Sequence, residues 1–345
     1  MKLEQFDTIP RIGWATLATP ITELPQIAQQ FGATWMGCKR DDLCSGLLGG
    51  SKVRKLDFLL ADSHFQNSSS WASIGAIGSG HLVACAAAAH TLQRKFQAHC
   101  FFEPTSEEIL KNLAFIAEHT EKIHFYRSRM EVLLTRPAVF FRKTVQNCSF
   151  IPPGGSSALG IVGMVRAGVE LAAQIQAGMI PVPDRIYVAA GTCGTVAGLA
   201  VGLAVAGFQI PIKAVATVEK IIVSTWRINF LINQVCKLLL SFGFQEVKKI
   251  KNIPIVIDYK QLGKGYAYPT EAANMAVKIF DSAEISLEPV YTGKMAAAIL
   301  HDLKNGFNGK VLFWNSHRRN LPPTKSDWKN KLPVRLQKLL VLPLK

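Results

Sequence analysis

Three segments of the chain put chemically capable side chains where a helix begins. In the run Gly49-Gly50-Ser51-Lys52, two glycines and a serine lead into a periodic stretch with Leu56, Leu59 and Leu60 on one face. This pattern predicts Ser51 as the N-cap and Lys52 in the first turn. The helix dipole disfavours a cation there, and the same potential lowers the amine's pKa towards the neutral form that Schiff-base chemistry requires. An ordinary exposed lysine at a helix start is the competing reading of this segment. The second segment runs from the strand Arg185–Ala190 through Gly191-Thr192-Cys193-Gly194-Thr195 into an apolar helix. Glycines permit a tight turn, so backbone amides and the helix N-terminus converge on a phosphate, and threonine hydroxyls add donors. Neither a P-loop nor the dinucleotide fingerprint is present, and a tight turn without ligand fits equally well. In the third, Gly78-Ser79-Gly80 precedes an alanine-rich helix. Ser79 either caps that helix or turns its hydroxyl to a substrate carboxylate.

Such turns need a scaffold, and the hydrophobic pattern supplies an α/β one. Strands are predicted over Trp71–Ile77, Ala98–Phe102, Lys122–Tyr126, Arg185–Ala190, Ile212–Thr217, Ile253–Ile257 and Lys310–Trp314. Helices are predicted over Val53–Phe65, His81–Leu92, Ser106–His119, Ala158–Ala177, Val196–Gly207, Thr225–Phe242, Pro269–Asp281 and Lys294–Asn305. Pro152-Pro153-Gly154-Gly155 marks a return between two domains.

The 345 residues are 49% hydrophobic and 18% charged, which suits a globular enzyme with a substantial core. Seven single cysteines form no Cys-x-x-Cys pair, arguing against a disulfide framework or zinc cluster and for a reducing cytoplasm. The N-terminal run shows no secretory h-region, and Val196–Phe208 is shorter than the roughly 20 residues a bilayer needs. Its three glycines suggest close helix packing instead. Of the +15 net charge, much lies after Trp314: Arg318, Arg319, Lys325, Lys329, Lys331, Arg335, Lys338 and Lys345 oppose only Asp327. No nucleic-acid motif accompanies them, so a solvated basic surface is expected, with neither nucleic acid nor membrane as partner.

Taken together, KRDDL (39–43), GGSKVRKLDFLLAD (49–62), GAIGSGH (75–81), PPGGSSALGIVG (152–163), AAGTCGTVAGLAVGL (189–203), GKGYAYPTEAA (263–273) and EPVYTGK (288–294) resemble the aminocyclopropane-carboxylate deaminase and D-cysteine desulfhydrase family. The resemblance spans about Thr19 to Ser316. It implies a tryptophan-synthase-β-like, fold type II enzyme with two three-layer α/β/α domains and pyridoxal 5′-phosphate as cofactor. A larger domain would comprise residues 1–49 and 166–345, and a smaller one residues 50–165. Lys52 resembles the lysine that holds the cofactor. Gly191, Thr192, Cys193, Gly194 and Thr195 resemble its phosphate cradle, and Ser316 the hydroxyl residue at its pyridine nitrogen. Ser79 resembles the serine near the substrate carboxylate, and Tyr266 and Tyr291 two active-site tyrosines. The implied reaction has Lys52 remove the Cα proton of a small amino acid, with a homodimer as the expected assembly.

Two departures qualify the resemblance. The family's serine loop usually reads Gln-Ser-Asn, so Gly78 and Gly80 suggest a looser loop and a missing bond to the cofactor's ring hydroxyl, worth roughly 1.5–3 kcal/mol. The basic C-terminal run also lies outside the family pattern. Thr292 and His81 match the desulfhydrase side, where the deaminases carry glutamate and glutamine. The expected activity is therefore elimination from D-cysteine to pyruvate, ammonia and sulfide. Ring opening of aminocyclopropane carboxylate, racemisation, and cofactor binding with weak or lost catalysis are the alternatives.

Overall fold

Alternation along the strands sorts side chains to two faces, and a computed structural model shows both faces covered. It describes residues 3–15, 18–44, 47–135, 144–145, 147–250, 253–318 and 321–340. The chain divides into a larger unit, Met1–Leu59 with Ser156–Arg319, and a smaller one, Leu60–Gly155 with Asn320–Lys345.

The larger unit holds a six-stranded sheet in the order Ile21–Glu23, Trp35–Lys39, Lys310–Trp314, Arg185–Ala190, Ile212–Ala216, Ile255–Asp258. All neighbours are parallel except the first pair, whose register sets Ile21 opposite Lys39. The period of two is visible in the last core strand, where Leu312 and Trp314 point into one cluster and Val311 and Phe313 into the other. The first cluster is completed by the helices Ala158–Gln176, Gly194–Val205 and Thr225–Ser241. The second takes Pro25–Phe31, Glu271–Asp281 and Thr292–Lys304, giving three layers.

Close packing between Ala158–Gln176 and Gly194–Val205 explains the glycines of the latter. A methyl group at Gly198 would stand 2.4 Å from Met164 Cβ, and one at Gly202 2.2 Å from the Val165 carbonyl. By length and composition Ala158–Gln176 is apolar enough to cross a membrane, yet 83% of it is buried inside the fold. All seven cysteines are free thiols.

The smaller unit has a five-stranded sheet in the order Lys122–Tyr126, Lys95–Phe101, Ser70–Ala76, Cys148–Ile151, Thr144–Val145, parallel but for the last pair. Gly80–Thr91 and Glu107–His119 pack together on it, each started by a serine cap, Ser79 and Ser106. The basic C-terminal run packs here through Trp328–Lys331 against Glu107–His119, and Arg335 pairs with Glu131 at 2.8 Å. Arg319 and Lys345 lie outside the described residues.

Three expectations need correction. The boundaries fall at Leu59 and Gly155 rather than at residues 49 and 165, so the lysine helix belongs to the larger unit, and the C-terminal run beyond residue 319 to the smaller. The lysine helix, Ser51–Leu59, packs on Ala158–Gln176, so closely that a methyl group at Gly163 would overlap the Arg54 carbonyl. The predicted helix Val53–Phe65 is two, broken after Leu59 and restarted at Ser63 behind the cap Asp62. Finally, Ser51 is a helical residue whose hydroxyl donates to Asp41 Oδ2 at 2.7 Å instead of capping, because that buried carboxylate needs donors.

Candidate active site

The lysine helix starts from a loop forced into shape by Gly50. At φ +82°, with the carbonyls of Ser316 and His317 within 3.0 Å of where a Cβ would stand, only glycine fits without strain. The contact brings Ser316, two residues past the strand Lys310–Trp314, beside the segment that delivers Lys52. Under this loop lies a buried, charge-balanced network. Asp41 accepts from Arg54 Nε at 2.9 Å, Ser51 Oγ at 2.7 Å and Trp314 Nε1 at 2.7 Å. Glu170 accepts from Lys39 Nζ at 2.5 Å and from Arg54 Nη1 at 2.9 Å. Two cations and two carboxylates thus fix the first turn that carries Lys52.

Lys52 is half-buried, its Nζ 5.8 Å from the ring centroid of Tyr291. Burial lowers its pKa from the usual lysine value, and Glu288 works against that shift. Three residues on, so on the same face of the helix, Lys55 is buried and its pKa falls to about 7, through burial first and then the charge of Lys52.

The glycine-rich turn lies against the second of these amines. A methyl group at Gly194 would sit 3.2 Å from Lys55 Nζ and 2.3 Å from Ser156 Oγ, and Ser156 Oγ shares a 2.7 Å hydrogen bond with Thr192 Oγ1. Cys193 is left-handed at φ +66° immediately before the helix Gly194–Val205. That conformation, costly for a residue with a side chain, lies directly ahead of a helix N-terminus, an arrangement suited to an anion. An amine close to a helix N-terminus makes a setting that an anion would stabilise. Tyr291 closes the other side: a methyl group at Gly191 would meet its Cε1 at 3.1 Å. Tyr266 packs edge-on to Tyr291, ring centroids 6.1 Å apart.

A family model for pyridoxal-phosphate dependent enzymes matches residues 15–316. The chain belongs to that family. It is 30% identical over 332 residues to D-cysteine desulfhydrase of Salmonella typhimurium strain LT2, covering 91% of this chain and 95% of that protein. The crystal structure of an ACC deaminase homologue is also similar, at 28% identity and a TM-score of 0.75, with 92% of this chain and 95% of that one covered. A fungal L-serine ammonia-lyase from Rhizomucor miehei, at 15% identity and a TM-score of 0.59 over 95% of this chain and 99% of that one, shares the fold alone. The fold is type II and the cofactor of this enzyme family is pyridoxal phosphate. The residues present fit it, with amine, anion-binding turn and aromatic wall in one unit.

Thus Lys52, the turn Gly191–Thr195, Tyr266, Tyr291 and Ser316 are gathered in the larger unit. Ser79 stands in the smaller unit and caps its helix, accepting from the His81 N–H at 3.3 Å. The serine loop is also less loose than its glycines suggested. The Gly78 N–H donates to Glu103 at 2.6 Å, its carbonyl accepts from Asn112 at 2.7 Å, and a methyl group there would press on Ile109 at 2.7 Å. Sequence reasoning missed Lys55, although its spacing of three from Lys52 was visible. It also missed Glu288, whose carboxylate accepts from the N–H groups of Val290, Tyr291 and Thr292 at 2.6–3.1 Å and so caps the tyrosine's helix. Thr292 returns the bond, its hydroxyl accepting from the Glu288 N–H at 2.9 Å.

Among the described residues no cluster of His, Cys, Asp and Glu is suited to a metal ion.

Proposed function

We propose that this enzyme is a lyase that eliminates thiolate from D-cysteine, yielding pyruvate, ammonia and sulfide after hydrolysis. The observation that carries the reading is an amine with a lowered pKa, Lys52, beside the Tyr291 ring, with a second buried amine, Lys55, against the glycine-rich turn. When bound, the cofactor supplies the electron sink for charge developing at Cα. In this reading Lys55, the Thr192 and Thr195 hydroxyls and the backbone N–H groups of residues 191–195 hold its phosphate. Lys52 anchors it and then serves as base, taking the Cα proton on Nζ. Ser316 offers the pyridine nitrogen a neutral hydroxyl. Tyr291 and Tyr266 hold protons for the leaving group. Ser79 is assigned to the substrate carboxylate by resemblance alone.

Thr292 supports elimination for a physical reason. It is fully buried and committed to the cap with Glu288, leaving Glu288 as the carboxylate that raises the Lys52 pKa. A glutamate at 292, as in the deaminases, would crowd a second carboxylate against Glu288 and favour charged lysine. Likeness to the ACC deaminase homologue supports ring opening as a second reading.

Turnover assays separate them. Pyruvate and sulfide from D-cysteine are expected; 2-oxobutyrate from aminocyclopropane carboxylate instead would select the deaminase reading, and neither product would sink both. The phosphate role of Lys55 has its own test. Lys55→Met is expected to weaken cofactor binding by about tenfold or more, the worth of one charge-assisted hydrogen bond. Titrating apo-protein with pyridoxal phosphate measures this, and unchanged affinity would remove Lys55 from the cradle.

A further inference from the structure

The two tyrosines come from separate segments, one in the loop after Ile255–Asp258 and the other at the start of Thr292–Lys304. The loop is awkward to hold: Gly265 lies at φ +114° and Ala267 at φ +65°, so Tyr266 is flanked by two left-handed residues. A non-glycine residue in that conformation persists only where its surroundings enforce it. Lys294 is a buried side chain that bonds this loop just ahead of Tyr266. Its Nζ donates to the Leu262 carbonyl at 2.9 Å and to the Gly265 carbonyl at 3.0 Å. The second of these carbonyls belongs to the peptide bond joining Gly265 to Tyr266. Lys294 also lies three residues beyond Tyr291, close to one helical turn, on a helix whose N-terminus Glu288 caps. One ammonium group therefore ties the backbone of one tyrosine to the helix of the other.

We propose that Lys294 is a positioning residue that sets the geometry between Tyr266 and Tyr291. This rests on the reading that both tyrosines serve the reaction. The ammonium touches two backbone carbonyls and acts through the peptide plane from which Tyr266 departs. Its loss leaves both carbonyls without this donor and lets the Gly265–Tyr266 peptide rotate. The Tyr291 ring stays against Gly191, so the pair separates instead of moving together.

The test uses holoenzyme labelled with 3-fluorotyrosine, six tyrosines in all, with Tyr266→Phe and Tyr291→Phe assigning two fluorine resonances. In Lys294→Met those two resonances are expected to shift, with that of Tyr268 in the same loop, while those of the distant Tyr126 and Tyr187 stay. Turnover falls on the order of 10²-fold, the effect of displacing a site group by about an ångström, with the visible cofactor band retained. Lys294→Gln, which keeps an N–H donor, recovers part of both signals. Unmoved Tyr266 and Tyr291 resonances overturn the proposal. So does a shift shared by all six, which would make Lys294 a support of the whole fold. Wild-type turnover in Tyr291→Phe and Tyr266→Phe would instead defeat the roles given to the tyrosines, and the resonances would still decide what Lys294 does.

Discussion

Lys52→Ala is expected to abolish turnover, with a loss on the order of 10⁴-fold, the upper range for removing a positioned base. Two functions leave with the amine. The cofactor loses its covalent anchor, so the purified variant lacks the visible band of the wild type. Substrate also loses the base for its Cα proton, so saturating pyridoxal phosphate does not restore the rate. The lowered pKa adds a pH signature. Because burial shifts Lys52 down from the usual lysine value, its neutral form is populated at lower pH than a surface lysine's. In Glu288→Gln, which removes the charge that raises that pKa, the pH–rate profile is expected to move to lower pH. A retained band and near-normal rate in Lys52→Ala would end the assignment of this lysine.

Arg54→Met should give the largest loss of stability, about 3–5 kcal/mol, the usual cost of leaving buried charges uncompensated. Arg54 bridges Asp41 and Glu170, and all three are 1% exposed or less. Without it, Asp41 keeps Ser51 and Trp314 as donors and Glu170 keeps Lys39, so one net negative charge remains in the core. Denaturant unfolding of wild type and variant measures the loss; a difference under about 1 kcal/mol would place the network among near-neutral ion pairs. The pH dependence follows from Glu170. Burial alone would raise its pKa, but Arg54 and Lys39 overcome that and bring it to about 2, below the ordinary 4.5. Its contribution to stability is complete above about 4.5 and is lost as pH falls towards about 2. Glu170→Gln is expected to flatten stability across that window.

The sheets were largely legible in the sequence because strands buried on both faces carry near-continuous apolar runs. Arg185–Ala190 and Lys310–Trp314 were predicted to the residue for that reason, and so was the partly buried edge strand Lys122–Tyr126. Short elements such as Ile21–Glu23 and Cys148–Ile151 escaped, since few residues give no usable period. The lysine, the glycine-rich turn and the family were readable because each is a local pattern. What Lys55, Glu288 and Lys294 do was not. Lys55 and Lys294 meet Gly194 and the carbonyls of Leu262 and Gly265 from distant segments, and Glu288 acts on the equally distant Lys52.

The sequence by itself determined the α/β class, the enzyme family and its cofactor, and the lysine at a helix start, all properties of contiguous residues. Only the tertiary structure decided that Ser51 serves a buried carboxylate, that Gly78 is pinned rather than loose, and that Thr292 is spent on a cap. Each of those outcomes depends on which distant polar group must be satisfied once water is excluded, and spacing along the chain carries no record of that.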